Sequence, residues 1–244
     1  MMVEKRKHLK MIKVLYGQLM VKLQGYTIEM KFENYNNGIC EIVNGLSNEF
    51  CDELVEFFDS NYEKHTYKEG YKEKESNRDA YHIDFDWNIP KHNEIYNRIG
   101  TEVQKSIIFF REHLFNNNPN LLEPFFAPDF INVDLTYLEL VKYLKGSNRI
   151  KLHADGIFGD NINPLSCIRT CSIICYLNDN PSGLHFPLQN FKTECRKGSI
   201  IFFPVSGLFP HGTNNIISED RYCIVTWLRV RPFNQLESKG LKNE

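Results

Sequence analysis

In the stretch SNEFCDELVEFFDSNYEKH, residues 47–65, the apolar residues Phe50, Leu54, Phe57 and Phe58 recur at three- and four-residue spacing, which places them on one face of a helix. Ser47 precedes them and offers a hydroxyl to the open amides of a first turn. Residues 92–115, HNEIYNRIGTEVQKSIIFFREHLF, carry Ile95, Ile99, Val103, Ile107 and Phe110 at similar spacing and predict a second, longer helix. Ahead of both, YTIEMKF and GICEIVNGL read as short strands around the turn signal ENYNNG. From Ile131 onward the pattern changes to short runs rich in β-branched and aromatic residues: INVDLTYLELVKYL, RIKLHAD, RTCSIICYLND, GLHFPL, KGSIIFFPV and RYCIVTWLRV. Gly, Pro, Asn and Asp separate them. Many short strands preceded by two helices predict an α+β chain with a β-sandwich or jelly roll backed by helices. Residues 64–78, KHTYKEGYKEKESNR, have no apolar period and read either as a solvated loop or as a flap beside a site.

Composition limits the classes of function. With 244 residues and 42% apolar content, the chain suits one large domain with an appended arm. Residues 1–37 are expected to form that arm, a short helix and strand packed on the main domain, with residues 38–234 as the domain and 235–244 as a tail. The helical part of the arm rests on the loose spacing of Leu9, Ile12, Leu15, Leu19 and Val21. A net charge of -2, from 29 basic and 31 acidic residues, exerts no general pull on nucleic acid or acidic membranes. Lys10, Lys13 and Lys22 break the apolar part of the N-terminal stretch, so neither a signal-peptide core nor a membrane span is expected there. The seven cysteines are odd in number and several lie inside apolar runs, which suits reduced, buried thiols and a cytoplasmic location. Cys167, Cys171 and Cys175 repeat every four residues rather than in the tight pairs of a structural zinc site.

Candidate chemistry begins with His153 and Asp155 in IKLHADGIFGD. Two residues apart on an extended chain, both side chains face the same way and can share a metal ion. A facial metal centre of two histidines and one carboxylate needs one more histidine from elsewhere. Of the eight histidines, His8, His65 and His92 lie in charged or flanking segments, His113 ends the second helix and His82 stands beside the charged segment. His185 and His211 remain. Arg221, ten residues beyond His211, opens an apolar strand, and its planar fork matches a carboxylate such as that of a dicarboxylate cosubstrate.

His153-x-Asp155, CSIICYLND, SGLHFP, KGSIIFFP and His211 with Arg221, in that order, resemble the Fe(II)- and 2-oxoglutarate-dependent dioxygenases, and within them the prolyl 4-hydroxylase-like group. The resemblance spans residues 38–230, including the opening EIVNGLSNEFCDELVEFF. It implies a double-stranded β-helix, with His153, Asp155 and His211 as Fe(II) ligands and Arg221 paired to the distal carboxylate of 2-oxoglutarate. Tyr143 resembles a tyrosine that hydrogen-bonds the cosubstrate, Tyr176 one that lines its pocket, and Trp227 a tryptophan beside the site; His185 falls in a strand position. Arg78 and Tyr81, at the end of the charged segment, are further pocket candidates. The family's usual Gly-Gly is here Ser182-Gly183, and the long stretch 156–168 is an insert expected to shape substrate entry. The implied reaction hydroxylates a C–H bond with formation of succinate and CO2, using Fe(II), 2-oxoglutarate and O2, with ascorbate as an accessory. The expected substrate is a prolyl residue of a peptide or protein. The same chemistry on a free amino acid, another small molecule or a nucleic-acid base is the alternative, and a binding module that kept the fold without catalysis is another. A neutral charge balance disfavours nucleic acid, and the sequence leaves the oligomeric state open.

Overall fold

In a computed structural model of the chain, the described residues are 18–23, 26–34, 37–61, 65–68, 80–83, 85, 87–117, 131–133, 138–146, 150–156, 168–213 and 219–230. Strands β1 (Gln18–Leu23), β2 (Tyr26–Asn34) and β3 (Cys40–Val43) lead into helix α1 (Asn48–Ser60). Strands β4 (His65–Lys68) and β5 (Ala80–Ile83) precede helix α2 (Pro90–Asn117). The strands β6 (Ile131–Val133), β7 (Glu139–Tyr143), β8 (Ile168–Tyr176), β9 (His185–Phe186), β10 (Phe191–Lys192), β11 (Ile200–Pro204) and β12 (Arg221–Val230) complete the order.

One sheet runs β1-β2-β3-β11-β8-β12-β7-β5-β4, with β6 also on β12, and each pair in it is antiparallel. Strands β9 and β10 form a separate pair, extended by bridges between His185 and Gly212 and between His153 and His211. Two facing layers of antiparallel strands are the double-stranded β-helix that the family resemblance implies, a form of the jelly roll that the strand pattern predicts.

Alternation along the strands splits the apolar residues into two cores. Leu140, Ile173, Cys175, Phe202, Ile224 and Leu228 face an outer core with α1 and α2, while Val141, Tyr143, Ile174, Tyr176, Cys223, Val225 and Trp227 face an inner one shared with Leu184 and Phe186 of the small sheet. The helices form for the reasons their spacing gives. Ser47 Oγ accepts the Phe50 amide at 3.2 Å, capping α1, and Phe50, Leu54, Phe57 and Phe58 are buried. On α2, Ile95, Ile99 and Val103 are fully buried and Phe110 stacks on Phe202 with ring centroids 4.5 Å apart.

Three expectations change. Leu19 and Val21 lie in strand β1 rather than in a helix, because Gln18–Leu23 pairs residue for residue with β2; two apart, they fit the period of a strand. Residues 1–17 lie outside the described residues. The described residues 150–155 of RIKLHAD form no continuous strand; within them, His153 makes a single bridge to His211. Of the charged segment, residues 65–68 form β4 against β5, and 69–79 lie outside the described residues.

Cys40, Cys51, Cys175, Cys195 and Cys223 are buried free thiols and Cys171 is partly so. Burial pushes the Cys40 thiol up to about 11 and the Cys51 thiol to about 12, which keeps both protonated and unreactive. Cys167 is outside the described residues. No described helix is long and apolar enough to cross a membrane.

Candidate active site

Backbone pairing brings the two histidines together. The His153 amide donates to the His211 carbonyl at 3.0 Å and the His211 amide returns to the His153 carbonyl at 2.8 Å. The pairing needs glycine next to His211, since a Cβ on Gly212 would sit 2.8 Å from the Ile150 carbonyl oxygen. Each imidazole is then held by its own loop: His153 Nδ1–H donates to the Lys151 carbonyl at 2.8 Å, and His211 Nδ1–H to the Phe209 carbonyl at 3.1 Å. Both Nε2 atoms are left facing Asp155 Oδ1, at 3.6 Å from His153 and 3.9 Å from His211.

The other carboxylate oxygen belongs to the main sheet. Ser172 Oγ on β8 donates to Asp155 Oδ2 at 2.5 Å, and Trp227 Nε1 on β12 donates to the same atom at 3.1 Å. Asp155 therefore presents one oxygen to the histidines and is turned by two donors on the other. Burial alone would raise its pKa, but the neighbouring His153 and His211 and the two donors outweigh burial and hold the carboxyl well below its ordinary range. Burial lowers the His211 pKa, keeping that imidazole neutral.

This donor set suits a divalent first-row metal. The three ligand atoms lie within 4.8 Å of one another, and ligands on one face of an ion, with bonds of about 2.1 Å at right angles, stand about 3.0 Å apart, so drawing each atom in by roughly 1 Å or less seats an ion. A His211 imidazole kept neutral, both rings oriented by backbone carbonyls, and an ionised, doubly anchored carboxylate are the protonation states and outer contacts such an ion requires.

At the other end of the inner core lies Arg221, 2% exposed. Its guanidinium lies 4.5 Å over the Tyr143 ring, one Nη donates to the Ser182 carbonyl at 2.7 Å, and its Nε is buried without a hydrogen-bond partner. A buried cation with an unfilled donor fits an anion. Gly183 follows Ser182 because a Cβ there would lie 1.9 Å from the Thr193 carbonyl oxygen; Thr193 Oγ1 in turn pairs with the Tyr176 hydroxyl at 3.0 Å and accepts the Leu184 amide. Tyr143 and Tyr176 are both buried in this inner core.

The structure thus brings His153, Asp155 and His211 together beside Trp227 and, at the far end of the same inner core, sets Arg221 beside Tyr143 and Tyr176. His185 bridges Gly212 beside the His153–His211 pair but is not one of the three clustered groups. Tyr81 does not join them: it packs against the outer core, because its position on β5 faces the helices. Arg78 and most of the 156–168 insert lie outside the described residues. Arg169, Ser172 and Thr193 escape the sequence reading. A register shift at Leu228/Arg229 lets Cys171 and Arg169 on β8 oppose consecutive residues of β12, so the extra Thr170 turns Arg169 inward. Its guanidinium stacks 3.8 Å over Trp227. A bulge leaves no mark in hydrophobic alternation, and the outward period of β8 hides it.

Residues 138–229 match the model of the 2OG-Fe(II) oxygenase superfamily. This region belongs to that superfamily. Its members are 2-oxoglutarate-dependent enzymes, and the matched region contains each residue of the cluster. No curated protein matches the chain in sequence. Among solved structures, the oxygenase fold is similar to a viral collagen prolyl hydroxylase from Paramecium Bursaria Chlorella virus-1 in complex with 2OG (20% identity, TM-score 0.52, covering 79% of this chain and 96% of that one). A prolyl-4-hydroxylase of Pseudomonas putida is also similar, at 16% identity and TM-score 0.55, covering 80% and 93%. So is a prolyl hydroxylase of Trichoplax adhaerens in complex with a hypoxia inducible factor peptide fragment, at 16% identity and TM-score 0.54, covering 84% and 88%. At these identities the likeness establishes the fold.

Proposed function

We propose that this oxygenase hydroxylates a C–H bond of a prolyl residue in a peptide or protein, with 2-oxoglutarate and O2 consumed and succinate and CO2 released. The observation that carries the reading is the placement of two complementary sites at opposite ends of one inner core: a metal-ligand triad at His153, Asp155 and His211, and a buried guanidinium with a free donor at Arg221. Fe(II) with bound 2-oxoglutarate supplies the oxidation, in which one oxygen atom of O2 enters succinate and the other the new hydroxyl.

The chain's own groups supply position and exclusion of water. His153 Nε2, His211 Nε2 and Asp155 Oδ1 would hold the metal on one side, leaving the opposite positions open. Arg221 would take the distal carboxylate of 2-oxoglutarate, with Tyr143 and Tyr176 walling the space between. The apolar residues around them keep that space dry, which strengthens each charged contact. Trp227, with Arg169 over its ring, stands where substrate meets the triad. Support for a prolyl substrate comes from fold-level likeness to three prolyl hydroxylases, one of them holding a peptide. Ascorbate belongs to this reading as an accessory that sustains turnover.

Purified protein incubated with Fe(II), 2-oxoglutarate, O2 and proline-containing peptides tests the proposal. Succinate that depends on Fe(II), together with a peptide mass gain of one oxygen on proline, is expected. Succinate with oxygen found on another residue would overturn the prolyl assignment, and no succinate under any condition would overturn the catalytic one.

A further inference from the structure

Beside Arg221, a pair of buried hydroxyls holds one proton more than it uses. Tyr176, at the end of β8, faces the inner core and opposes Cys223 on β12, two residues along from Arg221. Thr193, just after β10, is 2% exposed and is fixed through its backbone, its amide donating to the Leu184 carbonyl at 2.8 Å. Thr193 Oγ1 stands 3.0 Å from the Tyr176 hydroxyl and accepts the Leu184 amide at 2.9 Å, whereas the Tyr176 oxygen takes that same amide only at 3.4 Å. A Cβ on Gly183 would lie 3.0 Å from Thr193 Oγ1, so the chain closes tightly around this hydroxyl.

Two hydroxyls bring two protons, and among the described residues the acceptor each one finds is the other. One proton is spent between them. The second O–H stays buried without an acceptor, which is costly unless a ligand supplies one. Arg221 has a matching surplus, since its Nε is buried without a hydrogen-bond partner. Burial pushes the Tyr176 phenol above its ordinary range, so it keeps its proton and can donate it. With one Thr193 lone pair filled by the Leu184 amide, the Thr193 proton can go to the Tyr176 oxygen, and each bond of such a chain polarises the next. The chain then runs one way, from the Leu184 amide through Thr193 to Tyr176, and ends on the phenolic O–H, the more acidic donor of the two.

We propose that Thr193 is a positioning residue for the cosubstrate: it turns the Tyr176 O–H to the distal carboxylate that Arg221 draws in, so that a guanidinium and a phenolic proton meet one anion. The inference rests on the 2-oxoglutarate reading above and adds the residue that stands behind the tyrosine.

Calorimetric binding of 2-oxoglutarate to protein loaded with Mn(II) tests it without turnover. The variants are Thr193→Val, Thr193→Ser, Tyr176→Phe and the Thr193→Val, Tyr176→Phe double variant, with Thr193→Ala in place of Thr193→Val should the valine variant not fold. Thr193→Val and Tyr176→Phe are each expected to weaken 2-oxoglutarate binding about tenfold or more, the loss expected for a hydrogen bond to a charged group. Mn(II) alone should bind as in wild type. Thr193→Ser, which keeps the hydroxyl, should bind 2-oxoglutarate close to wild type. The double variant should bind no more weakly than Tyr176→Phe, because Thr193 acts through that O–H. A merely structural Thr193 would give losses that add to those of Tyr176→Phe and would loosen Mn(II) as well. Additive losses, wild-type affinity in Thr193→Val or Tyr176→Phe, or a Thr193→Ser variant as weak as Thr193→Val would each overturn the proposal. Wild type that binds Mn(II) but no 2-oxoglutarate would instead strike the cosubstrate reading, and this inference with it.

Discussion

Asp155 shows how single atoms set the site: one carboxylate oxygen faces two imidazoles because the other is taken by Ser172 and Trp227. Ser172→Ala removes the shorter of these bonds, and metal affinity measured with Mn(II) should fall about 10- to 100-fold, as for other supporting contacts behind a metal ligand. Ser172→Thr, which keeps the hydroxyl, should restore most of it. At the far end, Arg221→Ala should raise the 2-oxoglutarate concentration needed for half-saturation at least about 30-fold, since losing the partner of a buried charge costs about 2 kcal/mol or more. Protonation acts on the same atoms. His211 in the fold binds its proton more weakly than the unfolded chain, whose value is 6.5, so stability falls as pH drops below that value. Asp155 is also depressed, so its contribution is complete above its unfolded value of 3.8 and is lost as pH falls through the lower folded one. Urea midpoints of the metal-free protein should therefore decline from pH 7 toward pH 4 and decline further below it; in His211→Gln the first part of that decline should shrink.

Elements deliver these atoms through close backbone approach. Gly212 and Gly183 leave room for the Ile150 and Thr193 carbonyls, so Gly212→Ala should weaken metal binding by parting His153 from His211. Gly183→Ala should weaken 2-oxoglutarate binding by displacing Ser182, whose carbonyl holds Arg221. Titration of each ligand separately distinguishes the two effects, and equal loss of both in either variant would speak against separate roles. The same elements mark what the sequence makes legible. The period of Phe50, Leu54, Phe57 and Phe58, or of Ile95, Ile99 and Val103, reports a helix because each turn repeats the same burial demand. His153-x-Asp155 is legible because two residues along an extended chain share a side. Arg169 is not legible, since a one-residue bulge reverses the face its alternation predicts. Tyr81 misleads for the matching reason: its neighbours in sequence line the inner wall while its own side chain faces the helices.

Across the whole molecule, two cores divide the labour. The outer core binds the helices to the sheet, and the inner one lines the candidate site. Ile99→Ala on α2, which leaves a hole in the outer core, should destabilise folding by about 2–5 kcal/mol. Metal binding by the molecules that remain folded should be unchanged, as denaturant titration and Mn(II) binding together would reveal. The division also explains why the fold class was readable from strand count and helix placement, whereas the occupant of the inner core needed the ordered motifs from His153 to Arg221. The account's central claim is that His153, Asp155 and His211 seat a metal beside a 2-oxoglutarate site built on Arg221. Anaerobic titration with Fe(II) and 2-oxoglutarate, followed by visible absorbance, tests it most directly. A band that requires both ligands, disappears in His153→Ala and Asp155→Ala and demands much more 2-oxoglutarate in Arg221→Ala is the predicted result. No band with wild type, or an unchanged band in the folded triad variants, would contradict it.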